Sequence, residues 1–213
     1  KLMNSACNDK IICNKKDIML KLNTINEIYS INLRSKIGNL DLKNFFNFNI
    51  YKIIFELNKD VIEDIKIVKE YDENNIDLLI IFKRLMSTST RIVTNEFSIP
   101  MFYMYVTVSK ICNNDNNSIV FSSKENTNEL SLIDTVSEEY ERLTCEYSEL
   151  TITNLENDNN IDINFDFKFS YINNSSRFFK NFIALLIKKV FYKLKLFIDN
   201  QLLMIYAENY TNN

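Results

Sequence analysis

The sequence predicts an α+β domain in which a curved antiparallel sheet wraps a long C-terminal helix. Three observations carry this. Residues 161–171 alternate without a break. Ile161, Ile163, Phe165, Phe167, Phe169 and Tyr171 share one face, and Asp162, Asn164, Asp166, Lys168 and Ser170 share the other, as in a half-buried strand. Shortly after, Phe179, Ile183, Leu186, Ile187, Val190, Leu194, Phe197 and Gln201 recur at helical spacing behind several candidate N-caps at 173–176. Between residues 60 and 124, apolar and aromatic runs are punctuated by short polar turns, as in consecutive antiparallel strands.

The remaining elements follow in order. Residues 1–26 are polar and mixed, with short apolar clusters at Ile11–Ile12 and Ile18–Leu20. They read as an N-terminal arm or short helix lying on a domain that spans 27–210. Glu27 to Lys36 sets Tyr29, Ile31 and Leu33 against Ser30, Asn32 and Arg34, the pattern of a strand. Gly38 ends it, and Asn39 or Asp41 can cap the helix that follows. That helix carries Leu42, Phe46, Ile50, Ile53 and Leu57 on one face, supported by Phe45 and Ile54.

Asp60 to Tyr71 reads as a strand, and the polar turn at 72–75 leads into Ile76 to Leu85, apolar enough to be buried on both faces. A polar loop, Met86 to Thr90, precedes strands over Arg91–Phe97 and Ile99–Ile111, with Pro100 tolerable only at the start of the second. Ser118 to Lys124 is a further strand, 125–142 an acidic loop with one helical turn, and Cys145 to Leu155 the partner of 161–171. No internal repeat or Pro/Gly/Ser linker divides the chain.

Composition narrows the chemistry. The 213 residues suffice for one sizeable core. A net charge of −3 provides no overall basic field, so no nucleic-acid partner is expected. The absence of histidine removes the commonest general base, the Ser-His-Asp and Cys-His pairs, and most zinc sites. A single glycine excludes Gly-rich phosphate loops and dinucleotide fingerprints, whose backbones must turn tightly against a pyrophosphate. Cys7, Cys13, Cys112 and Cys145 form no CxxC pair and read as small apolar residues of a reducing compartment, with a Cys7–Cys13 disulfide as the alternative. No spacing brings together an acid–base pair from the remaining Asp, Glu, Lys, Tyr and Cys residues. No catalytic residue, metal ligand or cofactor is therefore assigned.

The apolar run Phe182–Ile187 falls far short of the roughly 20 residues a membrane span needs. No secretory signal is visible. A soluble chain is expected, cytoplasmic, or secreted if a leader preceded Lys1.

Strand, helix, six or seven strands and a long final helix, in that order, make up the helix-grip layout. The local spellings resemble the START family of lipid-transfer domains. Phe55-Glu56-Leu57-Asn58-Lys59-Asp60 followed by Ile65-Lys66-Ile67-Val68-Lys69-Glu70 resembles the family's helix end and next strand. Phe97-Ser98-Ile99-Pro100-Met101-Phe102-Tyr103-Met104-Tyr105-Val106 resembles the strand entered through a Pro-containing loop. Ser148–Ile152, Ile161–Tyr171 and the chain from Phe178 onward resemble the last two strands and the lid-bearing helix. The resemblance covers roughly 27–200. It departs from the family at Met101-Phe102, where an Arg-Asp pair is usual, and near Ile62-Glu63, where a Trp-Asp is usual.

The resemblance implies non-enzymatic binding and transfer of a phospholipid or other apolar ligand, with transient contact to a membrane surface. Phe165, Phe167 and Phe169 from the strand and Leu186 and Val190 from the helix are expected to line a cavity of roughly a few hundred Å³. By position, the resemblance places Lys59 toward a phosphate with Glu63 as its partner, and Tyr103 or Tyr105 beside the head group. Arg91 would sit at a lid loop, paired with Glu96. Lys188, Lys189, Lys193 and Lys195 would face the membrane. The alternative is a ligand-free helix-grip scaffold that serves as a protein-interaction module, and an enzyme working in the same cavity is a third reading.

Overall fold

Of the computed structural model, residues 9–15, 17–36, 47–83, 101–113, 117–128, 136, 139–155, 160–171 and 177–211 are described. The period-two stretches become strands β1 (Asp9–Lys15), β2 (Ile18–Asn23), β3 (Tyr29–Lys36), β4 (Ile62–Asp72), β5 (Asn75–Phe82), β6 (Met101–Asn113), β7 (Ser118–Glu125), β8 (Tyr140–Arg142), β9 (Thr144–Leu155) and β10 (Asn160–Ser170). Helix α1 (Asn49–Leu57) lies between β3 and β4, and the 35-residue α2 (Arg177–Thr211) closes the chain.

The sheet runs β1-β2-β3-β10-β9-β7-β6-β5-β4, antiparallel throughout this path, with β8 alone pairing parallel to β6. The β3–β10 ladder, Tyr29↔Phe167 to Lys36↔Asn160, joins the two ends of the chain at the centre of the sheet. One face, with α1 and α2 on it, holds the core. Phe121, Phe167, Leu20, Ile31, Leu33 and Ile50 are among its fully buried side chains. On the other face Leu79, Ile81 and Tyr105 form a small second cluster with Val68, Tyr103, Val136 and Tyr140.

Two expectations are corrected. Within the stretch 1–26 read as an arm or short helix, β1 and β2 form a hairpin at the sheet edge, where β1 pairs β2 and β2 pairs β3. Ile18, Leu20 and Leu22 point inward in strict alternation. The turn from β2 into β3 is built by Asn23, whose Oδ1 accepts the Ile25 amide at 3.1 Å, and by Glu27 at φ 59°. The acidic loop of 125–142 ends in β8, three residues that extend the sheet beside Met101–Tyr103. The expected strand Arg91–Phe97, Gly38 and Pro100 lie outside the described residues. Cys13, Cys112 and Cys145 are free thiols, and Cys7, the other half of the alternative bridge, lies outside the described residues.

Polar contacts fasten α2 along its length. Lys180 Nζ donates to Glu27 at 2.9 Å and Tyr29 Oη to Asn181 Oδ1 at 3.1 Å. Lys189 and Lys193 both donate to Asp60, at 3.0 and 2.6 Å, and Lys193 also reaches the Leu57 carbonyl at the end of α1. Hydrogen bonds from Lys193 and Lys189 hold the Asp60 carboxyl down at about 2. A depressed carboxylate stabilises the fold above its unfolded pKa, near about 4, and the contribution fades as pH falls through the folded value. Because Asp60 is nearly half exposed, solvent screening limits this to under about 1 kcal/mol. Asp60→Asn should therefore be slightly less stable than the parent at pH 7 in urea titrations. The gap should close between about pH 4 and pH 2. A gap that does not change with pH would contradict this assignment.

Candidate functional site

Strand alternation decides which side chains can meet beneath α2. On β5, Leu78, Ile80 and Phe82 face the helices, and on β6 Met104 and Val106 do the same. Ile62 and Ile65 of β4, Phe121 of β7 and Phe165 and Phe169 of β10 complete the sheet wall. From the other side come Tyr51 and Ile54 of α1 and Ile187, Val190 and Phe191 of α2. Together they enclose an apolar cavity of about 90 Å³. That volume is well below the roughly 300–1,000 Å³ of pockets that hold a drug-sized ligand.

Four polar groups meet in this wall: Tyr51, Ser123, Cys145 and Ser148. A register shift in the β9–β10 ladder explains Cys145. Lys168 pairs Tyr147, but Phe169 pairs Cys145, so Glu146 is an extra residue in β9. Such a bulge resets the alternation, and Cys145 faces the same side as Ser148 and Leu150. Ser148 is in turn the direct cross-strand partner of Ser123. The Tyr51 hydroxyl lies close to that of Ser123, and its burial raises the Tyr51 pKa well above the usual phenol range. Burial also pushes the Cys145 thiol up to about 12, with the nearby charges of Glu125 and Glu146 adding to it. Both groups are neutral at physiological pH.

Among the described residues no Lys, Arg, Asp or Glu lines the cavity. A charged pair stands beside it, Arg142 Nε to Glu125 Oε1 at 3.1 Å, on side chains 17% and 31% exposed. Among the described residues no group of three or more Cys, Asp or Glu side chains converges as a metal site would require.

The sequence-derived candidates divide. Phe165, Phe169 and Val190 line the cavity together. Phe167 stands between Phe165 and Phe169, at ring distances of 5.1 and 5.2 Å, and stacks on Tyr29 at 5.5 Å. It is packed solid and lines only a minor crevice with Leu143 and Ile183. Leu186 is half-buried against the core but is not part of the cavity wall.

The head-group candidates lie elsewhere. Tyr103 and Tyr105 are odd-numbered on β6 and point to the opposite face, where Tyr105 joins Leu79 and Ile81. Lys59 is exposed beyond the end of α1, paired with Glu56 at 2.6 Å and lying over the Phe55 ring. Glu63, its expected partner, instead accepts from Tyr140 Oη at 2.7 Å. Arg91 and Glu96 lie outside the described residues. Of the four α2 lysines, Lys195 is buried and bound to Asp199 at 2.6 Å, which removes it from any membrane-facing set. Tyr51, Ser123, Cys145 and Ser148 escaped the sequence reading. Only the Ile50–Tyr51–Ile54 spacing gave a signal for the first of them.

No protein-family model matches the sequence, and no curated protein matches it. Comparison of the fold is informative. The lipid transfer and protein localization domain of human StarD13 superposes with a TM-score of 0.63 at 9% identity, covering 87% of this chain and 88% of that one. Human StAR-related lipid transfer protein 5 gives 0.63 at 6% identity, covering 95% and 90%. The fold is the START helix-grip fold. Human STARD10 shares it too, with a TM-score of 0.63 and 6% identity over 90% of this chain and 73% of that chain. The cavity described above lies between the sheet and the C-terminal helix of this fold. No α-helix among the described residues is long and apolar enough to cross a membrane.

Proposed function

We propose that this chain is a non-enzymatic carrier that takes an apolar lipid between its sheet and α2. The observation that carries this reading is the cavity, walled by six strands and two helices and almost wholly apolar, at the centre of a START fold. Each CH₂ of a lipid taken out of water contributes about 0.8 kcal/mol. The present 90 Å³ cannot hold a full acyl chain, so Ile187, Val190 and Phe191 must withdraw for loading. The ties that would have to yield are mostly surface ion pairs, worth about 0–1 kcal/mol each. The larger cost is exposure of the apolar face of α2, which a membrane surface would offset.

The outer side of α2 suits such a contact. An open groove of about 640 Å³ is lined by Lys15, Ile18, Leu185, Lys188, Lys189 and Tyr192. Leu185, Tyr192 and Leu196 are exposed along the same helix. Apolar side chains flanked by lysines favour an anionic interface, with each exposed Lys worth about 1 kcal/mol near the surface. Co-sedimentation with phosphatidylserine-containing vesicles should fall as salt rises. It should drop further in a Leu185→Ser, Lys189→Gln variant. Binding indifferent to both changes would remove α2 as the contact.

The small size of the cavity favours a second reading, a filled scaffold that binds protein partners and no lipid. Exchange of a fluorescent lipid between donor and acceptor vesicles separates the two. Transfer above the spontaneous rate supports the carrier, and its absence with a folded protein supports the scaffold.

A further inference from the structure

The β7–β9 ladder changes character along its length. Ile119 faces Ile152 and Phe121 faces Leu150, but Ser123 faces Ser148. Two hydroxyls thus replace an apolar pair at one end of an apolar floor, and Tyr51 reaches down from α1 onto the same spot. We propose that this corner of Tyr51, Ser123 and Ser148 recognises the polar end of an uncharged, hydroxyl-bearing lipid. The inference rests on the carrier reading above and names its ligand class.

The chemistry is selective in two ways. Tyr and Ser hydroxyls each donate and accept, so together they match an alcohol, which does both. Charge is disfavoured. Among the described residues no cation lines the cavity to balance a carboxylate or phosphate, and Arg142 is already paired with Glu125. A buried charge without a partner costs far more than a hydroxyl that finds hydrogen bonds. The neutral state of Tyr51 and Cys145 fits the same environment. A phospholipid head group, if held at all, would have to stay outside this corner.

The test uses the full chain and four probes. Diphenylhexatriene, a hydrocarbon, reports access to the cavity without hydrogen bonding. Oleyl alcohol, oleate and oleoyl-lysophosphatidylcholine then compete for it with the same chain and different polar ends. Oleyl alcohol should displace the fluorophore at least about tenfold better than either charged competitor. Tyr51→Phe and Ser148→Ala should each weaken the alcohol about fivefold to tenfold more than they change diphenylhexatriene affinity, the loss of one hydrogen bond that the hydrocarbon never makes. Equal competition by all three, or an alcohol indifferent to both substitutions, would overturn the inference while leaving the carrier reading intact. Failure of diphenylhexatriene to bind would overturn both.

Discussion

Replacing Phe167 by alanine is expected to lower unfolding stability by about 3–5 kcal/mol, measured by chemical denaturation. The ring is 1% exposed and contacts Tyr29, Phe165 and Phe169 in a continuous aromatic layer across β3 and β10. Its backbone lies in the ladder that joins the N-terminal and C-terminal parts of the sheet. Nothing beside it is free to collapse inward, because the neighbouring rings are held by their own packing. A loss below about 1.5 kcal/mol would mean that this layer is looser than its geometry implies. The neighbouring Phe169, which borders the cavity, should cost less when truncated, since part of its surface faces free space.

Filling the cavity should abolish lipid capture with little loss of fold. Val190 lines the cavity from α2, and Val190→Phe would occupy most of the 90 Å³. Overpacking costs about 1–3 kcal/mol when no space exists, whereas filling a real void is neutral or stabilising by about 0.5–2 kcal/mol. The expected result is a stable protein whose affinity for a hydrocarbon probe falls by more than about tenfold. Unchanged probe affinity in a folded Val190→Phe protein would place the binding elsewhere.

Most of the fold was legible because burial imposes a period on each strand. β10 reads without ambiguity, since five inward side chains alternate with polar ones and the register against β3 and β9 follows from it. β5 reads as doubly buried because Leu79 and Ile81 cover a second small cluster while Leu78 and Ile80 face the core. The hairpin of β1 and β2 was missed for a physical reason. β1 is an edge strand with few buried positions, so selection for an apolar face is weak there and Ile11 is exposed. β8 is three residues long, too short for any period to show.

The site was less legible than the fold. Phe165, Phe169 and Val190 were found by the alternation and helical stripe that any core produces. The place of Cys145 in the wall depends on a bulge at Glu146, which reverses its facing relative to a simple count. No local composition announces that extra residue. Tyr103 and Tyr105 point away from the cavity because one residue of register carries a side chain to the other face of the sheet. Lys195 looked like a surface charge by spacing, yet Asp199 one turn later and Asp17 from the neck of the hairpin neutralise it in a buried position.

The most direct measurement of whether this chain carries a lipid is native mass spectrometry of the protein purified without detergent, followed by extraction and identification of what it holds. A carrier of the kind proposed should retain an uncharged, hydroxyl-bearing lipid at close to one per chain, and the Val190→Phe protein prepared in parallel should hold none. A folded parent protein that carries no more lipid than Val190→Phe would contradict the carrier function and leave a filled START scaffold in its place.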